Sequence, residues 1–81
     1  MITSVYEVYD IVESVMKICR ERGEHDVSRQ LEHAMRSGST GLEIIGAIKG
    51  VFVTHMARLE DVVDKKKLED VIEFVYRAYG N

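Results

Sequence analysis

The chain has 81 residues, 46% of them hydrophobic and 31% charged, and its formal net charge is −3 at pH 7. This length allows one domain with a small core, and the composition is typical of a globular protein rather than a disordered tail. The mild negative charge disfavours nucleic acid as the main partner and favours a basic protein partner. No apolar run is long enough to cross a bilayer, and the one cysteine, Cys19, predicts a reducing, cytoplasmic setting.

The first predicted helix covers residues 5–22. Ser4 and Glu7 have capping-box spacing at its start, and Gly23 supplies a left-handed stop at its end. Its apolar residues recur at the helical period: Val5, Val8, Val12, Val15, Met16 and Cys19. This pattern predicts one face that is buried against the rest of the domain.

Three further helices are predicted over residues 27–37, 41–62 and 65–79. Their predicted N-caps are Asp26, Thr40 and Asp64, and the second and fourth helices are predicted to end at Gly38 and Gly80. Helices joined by short turns, in a chain without proline, favour an antiparallel bundle. We therefore predict an all-α fold: a single domain over residues 1–81, forming a compact four-helix bundle with the third helix at its centre.

The third predicted helix contains a β-prone segment at residues 51–54, Val-Phe-Val-Thr. The helical period nevertheless continues through that segment, in Ile44, Ile48, Val51, His55, Leu59 and Val62. One narrow side of this helix carries small and apolar residues: Leu42, Gly46, Gly50, Val53 and Ala57. Glycine weakens a helix, so we predict close packing along this side, either inside the monomer or in a homodimer, and a nearly all-buried helix.

The turn before this helix, within residues 35–52, has two functional interpretations. A phosphate-binding loop is excluded because Gly41 is followed by Leu42 and Glu43 instead of the lysine and hydroxyl that phosphate and magnesium need. A helix-turn-helix remains an alternative, although the following helix begins with apolar side chains where DNA reading needs polar ones. A DNA-associated or regulatory protein would use a basic stripe that consists of Arg29, His33, Arg36 and Lys49.

The segment Ser37 to Val51 begins with the residues SGSTG, followed by Leu-Glu-Ile and an apolar helix. It resembles a group of small, uncharacterised bacterial helical proteins, which implies a helical fold and no particular activity. In size, helical content and charge the chain also resembles the immunity proteins of nuclease bacteriocins. That second resemblance is one of class, and it assigns no role to any residue.

Catalytic and metal-binding patterns are absent from the sequence. The residues Cys19, His25, His33 and His55 are scattered and lack the spacing of metal ligands. Paired carboxylates lie on solvent-facing helix sides, where nothing raises their pKa toward neutrality as acid–base catalysis needs. We predict no enzyme activity, no metal and no cofactor. His55 is open to two interpretations, a buried histidine with one hydrogen-bond partner or a pH switch.

The candidate partner-binding residues lie on the first helix: Tyr6, Glu7, Tyr9, Asp10 and Glu13. Tyrosines surrounded by carboxylates are typical protein-interface anchors, because each combines a large apolar area with a polar tip. We predict a small acidic protein-binding module, most consistent with a bacterial toxin immunity protein or antitoxin that neutralises a basic toxin domain. A structural homodimerisation module is the other alternative.

Overall fold

Five helices follow one another along residues 1–79, the part of the chain that the computed structural model describes. They are α1 (Val5–Glu21), α2 (His25–Arg36), α3 (Gly41–Thr54), α4 (Met56–Leu59) and α5 (Lys65–Ala78). No strand occurs among these residues, so the predicted all-α fold is confirmed. The radius of gyration, 11.5 Å, matches the roughly 11.7 Å expected of a compact domain of this length. The predicted stop at Gly80 lies outside the described residues.

The predicted starts of three helices are confirmed. At each, a side-chain oxygen accepts a hydrogen bond from a backbone N–H early in the helix: Ser4 from Glu7 (3.4 Å), Thr40 from Glu43 (3.2 Å) and Asp64 from Lys66 (3.0 Å). Each bond satisfies one of the N–H groups that a helix start leaves without a partner. The left-handed stop is confirmed as well, because Gly23 has a φ angle of 81°.

The predicted start of the second helix is wrong. α2 begins at His25, two residues before the predicted boundary, and Asp26 lies in its first turn instead of capping it. The carbonyl of Glu24 already accepts a hydrogen bond from the N–H of Ser28 (3.2 Å), so helical bonding starts directly after the turn at Gly23. The Asp26 carboxylate binds the guanidinium of Arg29 at 2.7 Å instead.

The predicted role of Gly38 is also wrong. α2 ends at Arg36, and Gly38 does not have a positive φ angle. Its lack of a side chain allows the backbone at Gly38 to lie close to the start of α3. A Cβ atom at this position would lie 2.6 Å from the Cβ of Glu43 and 3.1 Å from the backbone nitrogen of Ile44. The glycine therefore lets the turn fold back against the start of α3.

The prediction of one helix over residues 41–62 is wrong beyond Thr54. The β-prone segment is helical, but the chain breaks at His55 (φ −111°, ψ 20°) before the short helix α4. A straight helix of that length would measure about 33 Å, almost the 34 Å of the longest dimension of the molecule. It would extend past its neighbours. The break instead turns the chain back, so that Leu59 is fully buried.

The core is contributed by every helix and by the N-terminal segment. Its buried hydrophobic residues are Ile2, Val8, Val12, Val15, Cys19, Val27, Leu31, Ala34, Ile45, Ile48, Phe52, Leu59, Leu68, Val71 and Val75. Helix α3 contacts α1, α2, α4 and α5. Leu42 and Val53, on one side of this helix, are exposed, so the burial of α3 is incomplete within the monomer. Its burial in a homodimer stays a prediction.

Candidate protein-binding surfaces

The outer side of α1 brings four of the predicted partner-binding residues together. Tyr6, Tyr9, Asp10 and Glu13 share this side because their spacing places them within about 100° of one another around the helix axis. The two tyrosine rings meet edge to face, with centroids 6.2 Å apart and planes at 89°. Such edge-to-face pairs are favourable because the positive ring edge meets the negative ring face. We call these four residues the α1 surface.

The two tyrosines differ in exposure. Tyr6 is 74% exposed, although most of its area is apolar. Tyr9 is half-buried, and its hydroxyl lies against the start of α3, where a Cβ atom on Gly41 would be 3.8 Å from it. Tyr9 therefore packs against the fold, and its ring contacts the exposed ring of Tyr6.

The fifth predicted residue, Glu7, is occupied within the chain. Its carboxylate accepts a hydrogen bond from the backbone N–H of Thr3 at 2.6 Å, and the Thr3 hydroxyl lies 3.4 Å from both carboxylate oxygens. The backbone N–H of Thr3 holds the pKa of Glu7 below its usual value. Glu7 therefore stays charged beside the α1 surface while it fastens the N-terminal segment to the helix.

The carboxylates of the α1 surface form no ion pair within the described part of the chain. Six ion pairs join residues of the described part, and neither Asp10 nor Glu13 takes part in any of them. Both line a shallow groove between α1 and α2, together with Lys17, Arg20 and Glu32. The negative charge at the tyrosine end of this groove is available to an external cation.

The predicted basic stripe is divided between two surfaces. On α2, Arg29 binds Asp26 at 2.7 Å and Arg36 lies 4.0 Å from Glu32, so acidic neighbours offset both charges. His33 lines an apolar groove between α2 and α3. Lys49 lies on the opposite side of α3, with its Nζ atom 3.9 Å from the ring centroid of Tyr76. These cations do not form one continuous surface.

The predicted close-packing side of α3 is covered at one glycine only. A Cβ atom on Gly46 would collide with the hydroxyl of Tyr79, which donates a hydrogen bond to the carbonyl of Leu42. Gly50 has no atom within 4 Å of the corresponding position, and Ala57 lies in α4, beyond the break. The close packing that the glycine pair predicts is therefore present at the first glycine and absent at the second.

Sequence reasoning missed the contribution of α5 to this side. No role was predicted for Tyr76, yet it lies beside Lys49 and Gly50 in the structure. Tyr76 follows Ile72 by four residues and precedes Tyr79 by three, and this helical spacing predicts that the three side chains share one side of α5. We define the α3–α5 surface by its exposed or half-buried members: Leu42, Gly46, Lys49, Gly50, Val53, Tyr76 and Tyr79.

Comparisons with known proteins do not identify the chain. It matches no protein family, no curated protein and no solved structure. Function has to be argued from the surfaces themselves.

The structure also shows where Cys19 and His55 lie. Cys19 is fully buried, and that burial raises the pKa of its thiol, which keeps the sulfur in its unreactive protonated form. The His55 Nε2 atom lies 3.0 Å from the side-chain oxygen of Gln30, at the break between α3 and α4.

Within residues 1–79, no three histidine, cysteine or acidic side chains are grouped as metal ligands. No helix of that part is both long enough and apolar enough to cross a bilayer.

Proposed function

We propose that the protein is a small acidic protein-binding module that uses the α1 surface to bind a basic surface of another protein. In this proposal its scaffold is a helical bundle arranged around α3. The observation that carries it is the exposure of Tyr6, 74%, beside the half-buried Tyr9, whose ring meets it edge to face. A tyrosine offers a large apolar area and a polar tip and has only two side-chain torsions to order on binding, which suits an interface anchor.

Charge supports a basic partner. Asp10 and Glu13 flank the anchor and take part in no ion pair within the described part, and the whole chain carries a net charge of −3. Complementary charges around an aromatic anchor accelerate association and set the orientation of the partner. A partner whose binding surface carries arginine or lysine side chains fits this arrangement.

Among basic partners we propose a toxin domain, which makes the chain an immunity protein or antitoxin. Such a protein has to cover a toxin surface that is itself basic when the toxin acts on nucleic acid. The support is physical: small size, a helical fold and unpaired carboxylates beside an aromatic anchor. The DNA-associated alternative has less support, because the cations it needs are offset by acids on α2 or lie on another side of α3.

The test is capture of the product of the neighbouring reading frame by the purified protein. A triple variant that combines Tyr6→Ala, Asp10→Lys and Glu13→Lys should lose binding and any protection against that product. The matched control reverses two exposed carboxylates away from both surfaces, as Glu21→Lys and Asp61→Lys, and should bind as wild type does. Equal binding by the triple variant and the control would refute the α1 surface, and binding only to nucleic acid with a steep salt dependence would refute the proposed class.

A further inference from the structure

The α3–α5 surface is a second exposed apolar surface, which the proposed function does not use. Of the six large hydrophobic side chains exposed in the described part, four belong to it: Leu42, Val53, Tyr76 and Tyr79. Monomeric proteins seldom gather exposed apolar side chains in this way, and such gathering marks an interaction site.

A hollow lies in the middle of this surface. It measures about 300 Å³ and is lined by Gly46, Lys49, Gly50, Val53, Thr54 and Tyr76. The absence of a side chain at Gly50, with no atom within 4 Å of its Cβ position, leaves the backbone of α3 accessible at this point. The hollow therefore admits a projecting side chain from an opposing helix.

The two helices of the surface carry opposite charges at its edges. Lys49 is on α3, whereas Glu69 and Glu73 lie on the Tyr76 side of α5, seven and three residues before that tyrosine. Glu73 also lies 3.4 Å from Arg77 on the same helix, in an exposed pair that is weak in water. The helices are antiparallel, since Leu42 contacts Tyr79 and Lys49 contacts Tyr76. Lys49 is thus at the same level along the helix axes as the α5 turn that contains Glu73 and Tyr76.

This layout complements itself. Consider a two-fold axis that lies on the α3–α5 surface, midway between the two helices and parallel to them. Rotation about this axis places α5 of one copy over α3 of the other, with no shift along the helix axes. Lys49 then faces Glu73 of the partner subunit, and the hollow at Gly50 faces Tyr76 of the partner subunit. Both contacts occur twice, as the symmetry of an isologous interface requires.

We propose that the α3–α5 surface is the interface of a homodimer with this two-fold axis. A surface of one sign would repel its own copy, as the unpaired carboxylates of the α1 surface would, whereas the mixed signs here attract it. The charge arrangement therefore favours a second copy of this chain over a basic or an acidic partner. Dimerisation also covers the apolar side of α3 that the monomer leaves exposed.

The experiment is a charge swap followed by sedimentation velocity at micromolar concentration. Wild type should sediment at twice the chain mass of 9.3 kDa. Lys49→Glu and Glu73→Lys, each alone, create two like-charge contacts and should raise the dissociation constant about tenfold or more. An equimolar mixture of the two variants should dimerise again, because every contact between the unlike chains is attractive. The double variant with both substitutions should dimerise as well.

Two controls complete the design. Arg36→Glu changes the net charge by the same amount as Lys49→Glu but lies on α2, and it should leave the dimer intact. Gly50→Leu fills the hollow without altering charge, so it should give a monomer whose circular dichroism matches that of wild type. A monomeric wild type, a mixture that fails to reassociate, or a Gly50→Leu variant that remains dimeric would each overturn the proposed interface.

Discussion

At the scale of single residues, glycines of this chain serve different physical purposes. Gly23 adopts a φ angle of 81°, which side chains with a Cβ atom rarely tolerate. Gly38 permits backbone contact with the start of α3. Gly50 has an ordinary helical conformation and open space around it, so the monomer gains nothing from the missing side chain.

These differences predict opposite effects of the same substitution. Gly50→Ala should stabilise the monomer by about 0.5–1 kcal/mol, because alanine has the higher helix propensity and meets no neighbour. Gly23→Ala should destabilise it by about 1–2 kcal/mol through the positive φ angle. Urea unfolding at concentrations where the chain is monomeric measures both. Destabilisation by Gly50→Ala under those conditions would show that a neighbour occupies the space beside it.

At the scale of helices, local hydrogen bonds at the starts of α1, α3 and α5 set their boundaries. The start of α3 is the most elaborate, since the Thr40 side chain accepts from Glu43, whose carboxylate accepts from the hydroxyls of Ser39 and Thr40 at 3.2 Å each. These bonds lie directly after the turn that Gly38 tightens. They fix the residue at which α3 begins.

Thr40→Ala should therefore lower the free energy of unfolding by about 1 kcal/mol, the usual cost of losing an N-cap. Thr54→Ala is the matched control, since this threonine is exposed at the other end of α3 and should change stability by less than about 0.5 kcal/mol. Chemical denaturation of both variants provides the comparison. Equal effects at the two positions would contradict the assigned cap.

A side chain of α4, just after the break between α3 and α4, contacts the start of α2. The Arg58 side chain donates a hydrogen bond to the Glu24 carboxylate at 2.7 Å, across 34 residues of sequence. This bond is the main reason that the pKa of Glu24 lies below its ordinary value of 4.5. The carboxyl group is therefore more acidic in the folded chain than in the unfolded one.

A carboxyl group whose pKa is lower in the folded state than in the unfolded state stabilises the protein at pH values above its unfolded-state pKa. This stabilisation is lost as the pH falls through the folded-state pKa. We predict that stability declines as the solution is acidified below about pH 4.5. Glu24→Gln should be less stable than wild type at pH 7, and the difference should shrink on acidification. Thermal melts of both proteins across this range, at low salt, measure the effect. A difference that does not change with pH would exclude the ion pair as its cause.

At the scale of the whole molecule, stability depends on a core built from few large side chains. A chain of this length is expected to have about 4–12 kcal/mol of stability. Phe52 is the largest of its fully buried side chains, and it lies on α3, which contacts the other four helices. The only other phenylalanine, Phe74, packs at the edge of the core and is partly exposed.

Phe52→Ala should therefore cost about 3–5 kcal/mol, through lost burial and the cavity left behind, and leave the protein close to unfolding. Phe74→Ala removes the same atoms from a half-buried site and should cost clearly less. Midpoints of urea denaturation give both values. Similar losses at the two positions would contradict the greater weight that the burial of Phe52 gives it in the core.

The sequence by itself determined the local features of this protein. Capping side chains, a positive-φ glycine and apolar periodicity act between residues a few positions apart, so Ser4, Thr40, Asp64 and Gly23 were predicted correctly, together with the all-α fold. The tyrosines and carboxylates of α1 shared one side for the same reason, since a single helix fixes their spacing.

Only the tertiary structure decided the features that depend on distant residues. The break at His55 is followed by the bond between Arg58 and Glu24, which joins residues 34 positions apart and which no local pattern contains. The separation of Lys49 from the α2 cations, and its position beside Tyr76, likewise depend on how α3 and α5 pack. Helical periodicity indicates which residues share a side, whereas the packing of all helices together decides which side remains exposed.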